Sequence, residues 1–335
     1  MATFALLLVT MVTLTRSDCI QLHTTKGNKL DGYQYSEFSG SDLMSCFKTC
    51  RDHGHCQSIN YKRDGSLCEL NNRTREASPL HFITADHWLY FNNPFKTLIG
   101  SNKSLPGRSC KDIRDSSPGL QLANQEYWID PGNSMQPFTV YCDMSTDGGG
   151  WTLIASTVVN MDNETIGGMI RQTNYRSISN YSINSLRIDV PAIRQLRLDM
   201  GFVQLRYFCH KKSVGRTFHI ITKKNELGQQ VVEYFTEDGK DQSQSCNSYF
   251  RGPGDDSILA SSCEKWGSDG SSSEIGKWGY YQHNGTYRIY NEPAYWNSHG
   301  GKYFINFIPG RLCCDEDKSN CDHLSAGDVW KLFVK

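Results

Sequence analysis

The chain carries thirteen cysteines in 335 residues, and no other feature of the sequence restricts its fold so strongly. This number is too high for an ordinary cytosolic protein, in which thiols are kept reduced. No CxxC pair occurs, which argues against a zinc ribbon or a thioredoxin-type redox site. We therefore predict that most of the cysteines form disulfides. Because their number is odd, at least one thiol is free or bridges to another chain.

The first residues favour secretion. Residues 3–14 are uncharged and mostly apolar, a stretch that suits a signal peptide and is too short for a membrane span of roughly 20 residues. We predict a signal peptide over residues 1–17, a secreted, extracellular protein and no membrane span. Sequons of the form N-x-[ST] agree with an extracellular glycoprotein; their asparagines are Asn72, Asn102, Asn163, Asn180 and Asn284.

Charge and motifs exclude several classes of function. The 35 basic and 35 acidic residues cancel, which leaves no field for nucleic acid or an anionic membrane. No HExxH, GxSxG or P-loop motif occurs, so we predict a protein that is not an enzyme. His210 follows Cys209, but in an oxidising compartment we expect this cysteine to be bridged, with Cys246 or Cys263 as candidate partners.

A change of composition divides the chain near residue 100. Residues 93–108 contain prolines and glycines without clear periodicity, which predicts a linker. The first domain then spans residues 19–92 and the second spans residues 109–335. Rings are frequent and aliphatic residues are few, which is typical of disulfide-supported, β-rich extracellular domains.

The first domain is predicted to contain a helix and a hairpin. Asp42 can cap a helix that places Cys46 and Cys50 on one face, and Cys68 lies on the second strand of the hairpin. The spacing Cys46-x3-Cys50-x5-Cys56, with the strands "SINY" and "LCEL", resembles a PAN/apple domain. The resemblance implies the disulfides Cys46–Cys68 and Cys50–Cys56. It leaves Cys19 unpaired, intermolecular or joined to the second domain.

The start of the second domain is predicted to be a hairpin with glycines on its second arm. Residues 138–142 and 151–154 have the pattern of strands, and the turn "STDG" lies between them. Gly149 and Gly150 extend the permissive stretch into the second strand, where glycine usually marks a bulge or a close backbone approach.

Three elements of this region carry a second resemblance. "SCKDI" (109–113), "FTVYCDM" (138–144) and "DGGGWTLIAS" (147–156) resemble the start of a fibrinogen C-terminal, or fibrinogen-related, domain. The resemblance implies the disulfide Cys110–Cys142 and a scaffold that displays loops for carbohydrate, protein or acetylated ligands. The end of the chain, residues 325–335, is predicted to be a turn and a final strand. The fold class is therefore α+β: a small disulfide-stapled PAN/apple-like module followed by a β-rich fibrinogen-related domain.

An acidic run between cysteines, "CCDEDKSNCD" (313–322), is a candidate calcium site. Closely spaced carboxylates repel one another unless a cation lies between them, and calcium takes oxygen ligands. The resemblance also implies calcium in this region. The alternative is a solvated acidic loop. The candidate ligands are Asp315, Glu316, Asp317 and Asp322.

The ring-rich segment 265–304 is a candidate ligand surface. Aromatic faces stack on the C–H surfaces of sugars, while amides and carboxylates bond the hydroxyls. The alternative is that these long loops pack on themselves. The candidate ligand-binding residues are Trp278, Tyr281, Trp296 and His299.

Both predicted domains favour interaction over catalysis. We predict a secreted recognition glycoprotein, lectin-like or adhesive, that binds glycans or extracellular proteins, with calcium dependence as a further hypothesis. The alternative is a structural component of an extracellular organic matrix, as in a mineralised skeleton, in which acidic loops and inter-chain disulfides matter more than a pocket. A disulfide-linked homo-oligomer through Cys19 is a further expectation, and a linked dimer would favour the structural alternative.

Overall fold

The chain folds into two compact units that meet in the sequence between Thr97 and Leu98. A computed structural model describes residues 22–280, 287–298, 301–321 and 323–335. Within these residues, no helix combines the length and the apolar character that crossing a bilayer requires. The predicted signal peptide and Cys19 lie outside the described residues.

The first unit is an antiparallel sheet with one helix against it. The strands lie in the order β1-β5-β3-β4-β2. The elements are β1 (Thr24–Leu30), β2 (Gln34–Phe38), α1 (Leu43–Asp52), β3 (Ser58–Lys62), β4 (Leu67–Asn71) and β5 (Phe82–Asn92).

Two disulfides attach helix α1 to this sheet. The side chain of Asp42 caps the helix by accepting a hydrogen bond from the amide of Ser45 at 2.7 Å. Cys46 and Cys50, one turn apart, are both buried on the face that meets the sheet. The bridges Cys46–Cys68 and Cys50–Cys56 are present, as the PAN/apple resemblance implies. The predicted helix and hairpin are confirmed.

The segment predicted as a linker, residues 93–108, is packed into the units instead. In the first unit, the side-chain amide of Asn93 donates to the carbonyl of Cys56 at 2.8 Å. In the second unit, Ile99 and Leu105 are buried in the core, and Gly107 donates to the carbonyl of Trp128. The prolines and glycines therefore shape tight turns in folded structure, and the composition was misread as a linker.

The second unit is built on a seven-stranded antiparallel sheet in the order β13-β12-β11-β17-β8-β7-β6. An antiparallel sheet β14-β15-β16 and a parallel pair β9-β10 accompany it. Its elements are α2 (Cys110–Asp115), β6 (Gln125–Ile129), β7 (Phe138–Asp143), β8 (Trp151–Val158), β9 (Ile170–Gln172), β10 (Leu186–Ile188), α3 (Val190–Met200), β11 (Leu205–Lys211), β12 (Arg216–Thr222), α4 (Glu226–Thr236), β13 (Tyr249–Arg251), β14 (Tyr295–Ser298), β15 (Gly301–Ile308), β16 (Arg311–Glu316) and β17 (Val329–Val334).

Aromatic rings fill much of the core of the second unit. Trp266 and Trp278 are fully buried and meet edge to face with ring centroids 5.0 Å apart, and Tyr249 stacks on Trp266 at 5.1 Å. The predicted final strand is confirmed as β17. It runs between β8 and β11 in the middle of the sheet, and it buries Trp330 and Leu332. A chain poor in aliphatic residues thus gains its apolar burial from rings. The α+β class with two disulfide-stapled units is confirmed.

The turn between β7 and β8 has a backbone that only glycine adopts readily. Gly148, Gly149 and Gly150 all have positive φ, between 73° and 82°. A Cβ on Gly149 would lie 2.1 Å from the carbonyl oxygen of Met144. The hairpin and the bridge Cys110–Cys142 are present. The register irregularity of β8, however, lies in its pairing with β17 rather than with β7.

We expect Gly149→Ala to destabilise the second unit by about 2–5 kcal/mol. A left-handed conformation costs a side chain about 1–2 kcal/mol, and forcing an atom into a filled space costs about 1–3 kcal/mol. Thermal and denaturant unfolding of the secreted protein measure the effect. Gly168→Ala is the control, since its Cβ meets no atom within 4 Å. Equal stability of the two variants would contradict this reading of the turn.

Candidate functional site

Trp278, predicted as a ligand residue, belongs to the core. Its side chain is fully buried, and its indole N–H donates to the hydroxyl of Ser248 at 2.9 Å. A ligand cannot reach this ring, so its assignment to a binding surface is corrected. The alternative weighed in the sequence analysis, loops packing on themselves, describes Trp278.

Trp296 is also mostly covered by its neighbours. Its ring stacks on Tyr303 at 5.3 Å, the ammonium of Lys265 lies 4.2 Å from its centroid, and its N–H donates to Glu274 at 2.6 Å. Only 7% of the residue is exposed. Trp296 therefore packs against Tyr303 on one side and Lys265 on the other, and it offers no free face on which a sugar could stack. Tyr281 and His299, the other two predicted ligand residues, lie outside the described residues.

The carboxylate of Asp315 is fully buried and already bonded. Arg216 donates to it through Nε at 2.5 Å, and the backbone amides of Ile258 and Leu259 donate at 2.9 and 2.8 Å. Burial raises the pKa of this carboxyl, and the hydrogen bond from Arg216 acts in the opposite direction. Asp315 thus holds the segment before Leu259 against strand β16.

Glu316 is paired in the same way with Lys211. The ammonium of Lys211 lies 2.7 Å from Oε1 of Glu316 and is itself fully buried. Burial raises the pKa of Glu316, and the contact with Lys211 acts in the opposite direction. Asp317 accepts hydrogen bonds from the amide and hydroxyl of Ser319, and these lower its pKa.

The described carboxylates therefore do not assemble into the predicted calcium site. Among the residues that the structure describes, three metal-type ligand atoms converge only at Cys246, Cys263 and Glu264, where the two cysteines form a disulfide. Asp315 and Glu316 point to separate protein cations instead. Asp322, the fourth predicted ligand, lies outside the described residues.

Cys209 is bridged to Cys314, and its expected pairing with Cys246 or Cys263 is wrong. Cys246 and Cys263 pair with each other, and Cys313 pairs with Cys321. Residues 313–322, the acidic loop, are therefore closed by the bridge Cys313–Cys321. The bridge Cys209–Cys314 ties the same segment to strand β11. The twelve cysteines from Cys46 onward form six disulfides among themselves, which leaves Cys19 without a cysteine partner in this chain.

A polar groove of about 590 Å³ opens directly over these ion pairs. It is formed by the turn between β11 and β12, the start of β15, and the end of β16 with the turn that follows. The lining residues are Ser213, Val214, Arg216, Lys302, Tyr303, Glu316, Asp317, Asn320 and His323.

The rim of the groove offers polar groups that other described residues leave free. Lys302, Asn320 and His323 are exposed, and their side chains make no hydrogen bond or ion pair within the described part of the chain. The ring of Tyr303, half-buried, forms part of the wall. The floor of the groove consists of the paired charges Lys211–Glu316 and Arg216–Asp315. Around it lie hydrogen-bond donors, acceptors and an aromatic ring, which are groups that can bind molecules rich in hydroxyls.

Only one wall of this groove was predictable from the sequence. The acidic run marked the end of β16, but Lys302, at the start of β15, and His323, in the turn after the acidic run, are single polar residues and carry no pattern. Ser213 lies about ninety residues earlier, in the turn between β11 and β12, and Arg216 begins β12. The pairing of β11 with β12, the bridge from Cys209 to Cys314 and the ion pairs Lys211–Glu316 and Arg216–Asp315 bring these segments together.

The sequons differ in how accessible they are. Asn102, Asn163 and Asn180 are exposed, whereas the sequon of Asn72 has its Thr74 fully buried. Asn102 also accepts a hydrogen bond from the hydroxyl of Ser104 at 2.6 Å. Asn284 lies outside the described residues. Glycosylation thus stays a prediction, with three sites on the described surface.

Two known domain families match parts of the chain. Residues 19–94 match the PAN domain family, and residues 93–219 match the family described as the fibrillar collagen C-terminal domain. The second family is one that the sequence analysis did not name.

Individual proteins resemble short stretches of the chain. Collagen alpha-2(I) chain of Rattus norvegicus is 43% identical over 74 residues, 21% of this chain and 5% of the collagen. Fibrinogen beta chain of Gallus gallus is 46% identical over 50 residues, 15% of this chain and 10% of the fibrinogen chain. The chain thus spans only a small part of the length of these relatives.

Solved structures include the fibrinogen-like globe domain of human ANGPTL2, with 13% identity and a TM-score of 0.33 over 68% of this chain and 98% of that one. The corresponding domain of human ANGPTL6 has 15% identity and a TM-score of 0.30, over 68% of this chain and 95% of that domain.

Both matched families are disulfide-bonded domain types of extracellular proteins, in keeping with the six bridges seen here. The chain therefore carries a PAN domain at residues 19–94, followed by a domain of the fibrinogen-related C-terminal type.

Proposed function

We propose that this protein is a secreted, non-catalytic recognition protein whose second domain binds glycans in the groove over the acidic loop. The observation that carries the proposal is the set of free polar ends on the groove rim, those of Lys302, Asn320 and His323, beside the ring of Tyr303. Sugars present hydroxyls that both donate and accept hydrogen bonds. A rim that contains an ammonium, an amide and an imidazole matches both roles.

The charge of the groove favours a hydroxyl-rich ligand over a strongly anionic one. Arg216 and Glu316 line the groove, but each already has an ion-pair partner, Asp315 and Lys211 respectively. The remaining charged side chains on the rim, Lys302 and Asp317, carry charges of opposite sign. Affinity must therefore come from several directional hydrogen bonds, which suits the modest affinity of a lectin or adhesion site.

The first experiment is a glycan-array screen of the secreted protein, with calcium and again with a chelator. For a glycan that binds, we expect Lys302→Ala with Asn320→Ala to weaken affinity about tenfold or more, because each lost hydrogen bond is worth about 1 kcal/mol. The matched control is Lys224→Ala with Asn160→Ala, two exposed residues outside the groove.

Two results would count against this site. Equal loss in the groove pair and the control pair would mean that the glycan binds elsewhere. No glycan binding by folded, monodisperse protein in either buffer would overturn the glycan hypothesis and favour an extracellular protein as the ligand.

A second candidate function, covalent assembly in a matrix, is favoured by a surface of the PAN domain. An apolar groove of about 410 Å³ lies beside helix α1, and it is lined by the exposed side chains of Leu22, Met44 and Phe95. Leu22 follows Cys19 by three residues, a reach of roughly 10 Å in an extended chain. We propose a second copy of this chain as the partner, with the two Cys19 thiols oxidised to one disulfide by exchange with a disulfide oxidant.

We expect the secreted protein to run at about twice its reduced mass on a non-reducing gel, because Cys19 has no cysteine partner within the chain. Cys19→Ser should give the monomer under both conditions, with unchanged thermal stability. Met44→Ala with Phe95→Ala should lower the fraction of linked dimer, since the apolar contact brings the thiols together. A wild-type monomer on the non-reducing gel would rule out this assembly.

A further inference from the structure

The acidic loop wraps around a lysine ammonium. The Nζ atom of Lys211 lies 2.7 Å from Oε1 of Glu316, 3.0 Å from the carbonyl oxygen of Asn320 and 3.2 Å from that of Cys321. An ammonium has three N–H donors, and here each has one acceptor. The side chain of Lys211 is fully buried, so the loop supplies all the contacts that water would otherwise make.

The second buried carboxylate of the loop has a cation of its own. Arg216 donates from Nε to the carboxylate of Asp315 and from Nη2 to its backbone carbonyl, both at 2.5 Å. Two backbone amides complete the set of donors. Since a carboxylate only accepts hydrogen bonds, this one has the donors that it needs without a metal ion.

The loop cannot take a calcium ion at these carboxylates and keep its present structure. Calcium requires six to eight oxygen ligands at about 2.3–2.6 Å. At Glu316 it would have to displace the ammonium of Lys211, which would then be left buried without a counter-ion. Breaking a buried ion pair in this way is costly, because the remaining charge loses its compensation.

We propose that Lys211 and Arg216 are the structural cations of the acidic loop, so that the second domain folds and keeps its groove without a divalent metal ion. The lysine reaches the loop from the end of strand β11, two residues after Cys209. The disulfide from Cys209 to Cys314 therefore sets the distance between the cation and the loop. The inference does not depend on what the groove binds, because its test reads thermal stability.

The experiment compares the melting temperature of the wild-type protein in millimolar calcium and in a chelator, and then that of lysine variants. We expect no difference between the two buffers for the wild type. Lys211→Met should melt about 6–20 °C lower, as loss of one partner of a buried pair predicts for a domain of this size. The matched control is Lys212→Met, since the neighbouring side chain is exposed and should leave the melting temperature unchanged.

A double variant keeps the test informative if Lys211→Met does not fold. Lys211→Met with Glu316→Met removes both charges, so it should melt closer to the wild type than Lys211→Met does, or be secreted where the single variant is not. Three results would overturn the proposal: a calcium-dependent rise in the wild-type melting temperature, an unchanged Lys211→Met, or a double variant no better than the single one.

Discussion

The disulfide between Cys209 and Cys314 joins the two antiparallel sheets of the second domain covalently. It joins β11, in the middle of the seven-stranded sheet, to β16 of the three-stranded sheet across 105 residues of sequence. Closing a loop of this length stabilises a fold by about 4–5 kcal/mol in the chain-entropy account. The ion pairs Lys211–Glu316 and Arg216–Asp315 lie within a few residues of this bridge. One covalent link thus places two buried charge pairs and, over them, the groove.

Sequence reasoning succeeded where cause and effect are close in the chain. The cysteines of helix α1 are four residues apart, and the three implied disulfides span 6, 22 and 32 residues. Asp42 caps its helix through a contact three residues away. The turn before Trp151 depends on glycines within the turn itself. Local spacing is enough to predict the helix cap and the turn, whereas the three disulfides were predicted from the resemblance to known domains.

Features that depend on contacts between residues far apart in the chain were not predictable in this way. The counter-ions of Glu316 and Asp315, which are Lys211 and Arg216, lie about a hundred residues earlier in the chain and carry no pattern, so these two ion pairs were not predicted. Trp278 was assigned to a ligand surface for a related reason. A ring among polar residues looks the same in sequence whether it faces water or packs on Trp266 and Tyr249. Burial is a property of the folded neighbourhood, which composition does not reveal.

In the function that we propose, the internal cations also determine which groups of the groove are available to a ligand. A floor occupied by calcium would present an ion with open coordination positions, and a ligand could bind it directly through oxygen atoms. Here the floor consists of saturated ion pairs, whose charges cancel and whose hydrogen bonds are directed inward. Selectivity must then come from the rim groups alone, and their geometry depends on the loop that Lys211 holds closed. The proposed stability of the loop and the proposed recognition by the groove therefore both depend on the same buried ammonium.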